Sequence, residues 1–115
     1  MDNRDGVGMS DILDRLRAHR EGAPTIPIEI PEWGLSAFVR PISSAKHASI
    51  RKHGNEARMS AHFIMESIVD EKGKPIFPND AHTIAELEGQ PSNLIGRVTM
   101  EILGHMNADF DAKNS

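Results

Sequence analysis

Hydrophobic positions near the start of the chain follow a helical spacing. Ile12, Leu13 and Leu16 lie three and four positions apart among charged side chains. We therefore predict a short amphipathic helix over residues 10–20, which is marginal unless it packs against another surface. Residues 1–9 are polar and glycine-containing, and they are predicted to form a disordered leader.

From residue 25 the hydrophobic spacing changes to two. Ile26, Ile28 and Ile30 alternate with Pro27 and a glutamate, which is typical of a half-buried strand. The turn sequence PEWG follows, and the apolar run LSAFVRPI predicts a return strand. The pattern thus predicts an antiparallel β-hairpin over about residues 25–41. Because proline has no N–H group, the first strand should lie at a sheet edge or turn its proline outward.

Helical spacing returns over residues 43–106. The predicted helices run from Ser43 or Ser44 to Gly54, over residues 55–70, from Asn79 or Asp80 to about Gly89, and from Pro91 to about residue 106. The fold prediction is one helix-dominated α+β domain over residues 10–106, in which the hairpin packs against three to four helices. The polar residues 107–115 are predicted to be a disordered tail.

Composition narrows the classes of function. A chain of 115 residues suits one domain, and the absence of cysteine excludes disulfides, thiol catalysis and the common structural zinc sites. No apolar run approaches the roughly 20 residues that span a bilayer, and no apolar signal segment stands near the start. We therefore expect a cytoplasmic protein with no membrane role. The formal charge of −4 argues against broad nucleic-acid binding.

The segment VDEKGKPIFPND, residues 69–80, combines acids, lysines and a glycine, as ligand-binding loops do. A calcium loop needs oxygen ligands at the positions that Lys72 and Lys74 occupy. The lysine side chain is itself a cation and cannot bind calcium, so a calcium loop is excluded. A P-loop needs Ser or Thr after its GK pair, where this chain has Pro75. A plain turn needs only an acceptor such as Asp70 and a left-handed position such as Gly73, so we predict a turn.

Candidate catalytic and metal-binding groups are few. His62 and Glu66 lie four residues apart on a predicted helix and could offer two ligands on one face, with His82 as a further candidate. A small metal-dependent enzyme is therefore one alternative function. The segment from Ser43 to Lys46 matches S-x-x-K without the motifs that accompany it in acyl transferases. We predict a non-enzyme with no catalytic residue, cofactor or metal.

Basic residues cluster in and before the segment 46–58. They are Arg40, Lys46, Arg51, Lys52 and Arg58, with His47 and His53 among them. The cluster contains no aromatic residues for base stacking and belongs to an acidic chain. A solvated helix face is favoured, an acidic protein partner of Arg51 and Lys52 comes second, and regulatory nucleic-acid binding is the other alternative function.

Three large apolar residues are candidates for contacting a partner protein. Trp33, in the PEWG turn, should either fold back over the sheet or anchor a partner, and burial is favoured. Met59 and Met100 lie off the main apolar stripes of their predicted helices. Methionine adapts to irregular apolar surfaces, so these two side chains fill either the core or a partner interface.

The order of these segments is similar to that of a known family. A strand ending in PEWG leads to AFVRPISSAKH, then to a long helix and SIVDEKGKPIFPNDAHTIAEL, and then to a last amphipathic helix. This order resembles the tail assembly chaperones of long-tailed bacteriophages and prophages, whose segments have the forms "vPEWGg-vyVRels" and "vDedGkplF". The resemblance covers roughly residues 25–106 and leaves the helix over residues 10–20 outside it.

The resemblance implies a non-enzymatic protein that acts in the host cytoplasm during virion assembly and is absent from the finished particle. Its partner would be the tape measure protein, which is long, helical and apolar and must stay soluble while the tail forms. The tail tube protein is a second possible partner, and self-association is a further option. The family supplies no shared contact residues, so Trp33, Met59, Met100, Arg51 and Lys52 are candidates on their chemistry alone.

Overall fold

A computed structural model describes the backbone of residues 9–22 and 25–114 and the side chains of residues 10–22 and 25–105. The described helices are α1 (Met9–Glu21), α2 (Ser44–Arg51), α3 (Glu56–Ser67), α4 (Ala81–Glu88) and α5 (Ser92–Asn114). The strands are β1 (Ile26–Ile30), β2 (Leu35–Val39) and β3 (Ile68–Val69). Five helices and one antiparallel sheet make this an α+β fold, as the sequence predicts. Almost all of the predicted leader lies outside the described residues.

The sheet has the order β1-β2-β3. β1 and β2 form the predicted hairpin, with Ile30 opposite Leu35 and Pro27 opposite Phe38. β1 is an edge strand, so the N–H group that Pro27 lacks is not needed by a third strand. Ile28 and Ile30 face the core, whereas Pro27 and Glu29 are exposed. This is the alternation that the sequence predicts.

The link between the two strands is tight. Pro31–Trp33 forms a single 3₁₀ turn, and the Gly34 N–H group donates to the Pro31 carbonyl oxygen at 3.0 Å. Gly34 has φ 61°, a left-handed conformation that side chains disfavour. The turn predicted for PEWG is therefore present, and its glycine is required by the backbone.

Strand β3 corrects the prediction of one helix over residues 55–70. Helix α3 ends at Ser67, and Ile68 and Val69 instead pair with Val39 and Phe38. Both residues are fully buried, and β-branched side chains suit a strand better than a helix end. The Arg40 N–H group continues the ladder by donating to the Ser67 carbonyl oxygen at 2.9 Å.

The core lies between the inner face of the sheet and helices α3 and α5. Its fully buried side chains include Ile30, Val39, Ile64, Ile68, Val98 and Ile102. Phe63 and Met65, on the apolar face of α3, are also buried. Leu94 and Ile95 pack at its edge, whereas the side chain of Met106 lies outside the described residues.

Helix α5 is longer than predicted. Its backbone runs to Asn114, so the region predicted to be a disordered tail from residue 107 is helical instead. The last residues, NADFDAKN, contain neither glycine nor proline, the residues that most strongly end helices. The polarity of this segment was a poor guide to its backbone conformation.

Side-chain caps fix where three helices begin. Ser43 accepts a hydrogen bond from the Lys46 N–H group at 3.1 Å, and Asn55 accepts one from that of Arg58 at 3.1 Å. Asp80 likewise accepts from the Thr83 N–H group at 2.8 Å. The structure therefore selects Ser43 over Ser44 and Asp80 over Asn79, and it confirms Asn55.

The segment over residues 69–80 is a turn, as predicted. One carboxylate oxygen of Asp70 accepts hydrogen bonds from the N–H groups of Lys72, at 2.8 Å, and Lys74, at 2.9 Å. Gly73 has φ 81° and donates to the Asp70 carbonyl oxygen at 2.9 Å. These backbone hydrogen bonds lower the pKa of Asp70, Lys74 first among them. The acid serves the turn itself and is not arranged to bind a ligand.

Ser67 offers a stability prediction. Its side chain is fully buried, and its hydroxyl group has no hydrogen-bond partner among the described residues. Ser67→Ala should therefore raise the free energy of unfolding by about 0.5–1.5 kcal/mol, because an unsatisfied buried polar group is removed. Urea denaturation measures the change. Ser49→Ala, at an exposed position of α2, should gain only tenths of a kcal/mol, and equal gains for both variants would contradict the explanation.

A two-pronged ion pair joins the hairpin turn to helix α5. Two nitrogens of the Arg97 guanidinium group donate to the two carboxylate oxygens of Glu32 at 2.6 and 2.5 Å. This hydrogen bonding is the main reason that the pKa of Glu32 falls from 4.5 to about 2. The pair ties two segments that are 65 residues apart in the chain.

The Glu32 pair predicts a pH dependence of stability. Because the folded-state pKa is lowered, the stabilisation is fully present above pH 4.5 and is lost as the pH falls towards 2. Glu32→Gln should thus be less stable than the wild type near neutral pH, and this difference should shrink below pH 4.5. Urea denaturation across this range tests the prediction. In an Arg97→Gln background most of this pH dependence should disappear; a dependence of undiminished size there would contradict the assignment to Arg97.

Candidate partner-binding surface

An apolar groove opens on the surface where helices α2, α3 and α5 meet. Its apolar lining consists of Ile50, Met59, Phe63 and Leu103. His47, Arg51, Glu56, Ser60 and Thr99 complete the lining, and the volume of the groove is about 180 Å³. We call it the methionine groove. At its base, Phe63 and Ile50 are buried, and Phe63 belongs to the core cluster. Met59 is only half-buried.

Met100 extends the apolar surface beside this groove. It lies three residues before Leu103 on α5, which places the two side chains next to each other on the helix. Met100 is 69% exposed, the highest value among the large apolar side chains that the structure describes as exposed. The structure thus places Met59 and Met100 at the surface, and the core-filling alternative for Met100 does not hold.

Arg51 and Lys52 lie at one end of the methionine groove. Arg51 contributes to the lining, and Lys52 follows it at the end of α2; both side chains are exposed. Glu56, at the start of α3, is the one acidic side chain in the lining. The lining therefore carries one cation and one anion, and the exposed Lys52 adds a second cation next to Arg51, so this end of the groove suits an apolar segment that carries acidic residues.

Trp33 lies elsewhere and has an intramolecular role. Its indole N–H group donates to the Gln90 side-chain oxygen at 3.1 Å, and its ring packs edge-on against Phe77 at 6.1 Å between centroids. The side chain is half-buried and packs against the core, so the favoured prediction of burial holds in part. A shallow apolar surface that includes Pro78 and His82 continues from it.

The histidines and acids proposed for metal binding have other partners. The ring of His62 stacks on that of His53 at 4.0 Å, with 5° between their planes. Burial, and then the neighbouring His53, lower the pKa of His62. The carboxylate of Glu66 faces the cations of Arg40, at 3.9 Å, and Lys46, at 3.6 Å. Within the described side chains, no group of three or more His, Asp or Glu residues is placed to hold a metal.

The basic segment over residues 46–58 does not form one continuous surface helix. It spans the end of α2 and the start of α3, and Gly54 between them has φ 68°. Arg58 donates to the Glu88 carboxylate at 2.9 Å, while Arg40 binds the carbonyl oxygens of Glu66 and Gly73. Several cations of the cluster are therefore engaged by acids or backbone, and Arg51 and Lys52 remain exposed at the methionine groove.

Sequence reasoning missed part of this surface. Ile50 and Leu103 were not predicted as lining residues, because a groove between three helices depends on how the helices pack. The signal available in the sequence was the position of Met59 and Met100 outside the apolar stripes. This signal identified two residues of the surface, on α3 and α5, but it did not indicate that α2 also borders the groove.

Membrane insertion has no support in the described helices: none of them is both long enough and apolar enough to cross a bilayer. Comparison with known proteins identifies no relative. No family model, curated protein or solved structure matches the chain, so the resemblance to tail assembly chaperones depends on the sequence motifs alone.

Proposed function

We propose that this protein is a non-enzymatic tail assembly chaperone that binds apolar helical segments of a tape measure protein in the host cytoplasm and keeps that protein soluble. The observation that carries the proposal is the methionine groove together with the exposed Met100. The sequence motifs suggest a role in tail assembly, and the groove offers an apolar surface for an apolar helical partner.

The shape of the groove favours a helix as the ligand. It is bounded by helices α2, α3 and α5, and its volume of about 180 Å³ is small for a buried small molecule. A groove of this kind takes a few anchoring side chains from one face of an amphipathic helix. The apolar residues of a tape measure protein, repeated along a long helix, can supply such anchors many times.

The composition of the surface favours a ligand of variable sequence. Met59 and Met100 have flexible, polarisable side chains, which adapt to apolar partners of different shape. Arg51 and Lys52 add attraction for acidic residues that flank an apolar face, and they do so mainly by raising the association rate. A chaperone that covers successive segments of one long partner needs this tolerance more than it needs high affinity.

The test is co-expression with the tape measure protein of the same genome. We expect the partner to shift from the insoluble to the soluble fraction and to co-purify with this protein. Met59→Asp combined with Met100→Asp should abolish both effects, because two carboxylates would then be buried or brought against apolar side chains. Co-purification is measured by affinity capture followed by quantification of the partner.

The control is Ala85→Asp, at an exposed position of α4 outside the groove. This variant should retain full binding, and circular dichroism should show that all variants remain folded. No gain in solubility and no co-purification with the wild type would refute the proposed function. Full binding by the double methionine variant would refute the methionine groove as its site.

A further inference from the structure

Helix α1 presents an apolar face that is exposed among the residues that the structure describes. Every described side chain from Ser10 to Glu21 is exposed. Ile12, Leu13 and Leu16 are exposed by 41%, 51% and 62%, although they lie together on one side of the helix. An isolated helix of 13 residues is marginal in water, so a surface that covers this face would stabilise it.

The charges of α1 are sorted around the apolar face. At 100° per residue, Arg15 and Arg17 flank the apolar residues on opposite sides. Asp11 and Asp14 lie towards the other side of the helix, and Arg17 pairs with Asp14 at 3.4 Å. The side of α1 that carries leucine and isoleucine is therefore bordered by positive charge, and it suits an apolar surface with an acidic rim.

Such a surface exists between helices α3, α4 and α5. Leu87, Ile95 and Ala57 provide its apolar lining, and Glu56 and Glu88 provide its charge. Ser60, Gln90, Ser92 and Gly96 complete it, and its volume is about 280 Å³. No basic side chain is in this lining, although Arg58 donates to Glu88 from outside it. We call it the acidic groove.

We propose that α1 of one molecule docks into the acidic groove of a second copy of this chain, and that the exchange is reciprocal in a two-fold dimer. The occupant comes from another molecule because, within one chain, the apolar face of α1 stays exposed. The methionine groove is the poorer receptor, since its lining includes Arg51, which would repel the arginines that border the face, whereas the acidic groove has no basic side chain in its lining. The proposal does not depend on the proposed function.

Two features of the dimer follow from the size of the contact. Three apolar side chains bury far less than a standard interface, so the association is weak, with a dissociation constant on the order of 100 µM. Reciprocal exchange places two identical contacts in each dimer, as isologous symmetry requires. The methionine groove remains open in this arrangement, apart from Glu56 and Ser60, which line both grooves.

Sedimentation equilibrium of the full chain over a range of concentrations tests the proposal. The wild type should change from monomer to dimer as the concentration rises. Leu13→Asp should weaken the association at least ~10-fold, because a carboxylate would enter an apolar groove. Gly96→Arg should do the same from the receptor side: a Cβ atom there meets nothing within 4 Å, so the arginine is accommodated but occupies the groove.

Gly104→Arg is the matched control on the same helix. A Cβ atom at this exposed position also meets nothing within 4 Å, and Gly104 does not line the acidic groove. This variant should dimerise as the wild type does.

Mixing Leu13→Asp with Gly96→Arg should restore a weak heterodimer, since one intact α1 then meets one intact groove. A wild type that stays monomeric at all concentrations, or a Leu13→Asp variant that dimerises normally, would overturn the proposal. So would equal effects of the Gly96 and Gly104 substitutions.

Discussion

Ile64→Ala should lower the free energy of unfolding by about 3–4 kcal/mol and the melting temperature by more than about 10 °C. Ile64 is fully buried in the middle of α3, within the cluster that joins the sheet to the helices. Removing its three outer carbon atoms leaves a cavity that a close-packed interior cannot fill without shifting backbone. Thermal and urea denaturation measure the loss.

The matched control is Ile12→Ala on α1. The chemical change is the same, but Ile12 is exposed and alanine is the better helix former. Its effect on monomer stability should be within about 0.5 kcal/mol. Similar losses for the two variants would contradict the division of the described chain into a packed core and an exposed helix α1.

Trp33→Ala should lower the free energy of unfolding by about 2–4 kcal/mol, which is less than for a fully buried tryptophan. The indole ring is half-buried, and it connects the hairpin turn to Phe77, before α4, and to Gln90, after α4. Removing it exposes the edge of the core. The Gln90 side chain then keeps only the hydrogen bond that its amide nitrogen donates to the Glu86 carbonyl oxygen.

Trp33→Phe separates the two contributions. Phenylalanine keeps an aromatic ring against Phe77 and loses the hydrogen bond to Gln90, so the cost should be only about 1 kcal/mol. The binding that we propose for a tape measure protein should be unaffected by either substitution in molecules that remain folded. Normal stability with lost binding would instead identify Trp33 as a partner anchor, the alternative that the sequence left open.

The two grooves differ in the charged side chains of their linings. The methionine groove carries basic residues and suits an acidic apolar helix, whereas the acidic groove suits α1. Both lie along α3, and Glu56 lines both. Saturating binding of the proposed partner should therefore change the dimerisation measured for the full chain, since Glu56 and Ser60 line both grooves.

The local features of this protein could be predicted from its sequence. The caps at Asn55 and Asp80, the turn around Gly73 and the hairpin with Pro27 on an edge strand depend on residues close together in the chain. Their physical causes are short-range: a side-chain acceptor, a left-handed backbone position and a missing donor. The α+β class follows from the same periodic patterns.

How these parts meet depends on contacts between segments that are distant in the chain. Ile68 forms a strand because β2 offers it a partner, although it follows directly on a helix. Phe63 and Met59, four residues apart on α3, both line the methionine groove, but Phe63 is buried in the core cluster whereas Met59 is only half-buried. Periodicity indicates which face of a helix is apolar, but which part of that face stays open depends on packing between distant segments.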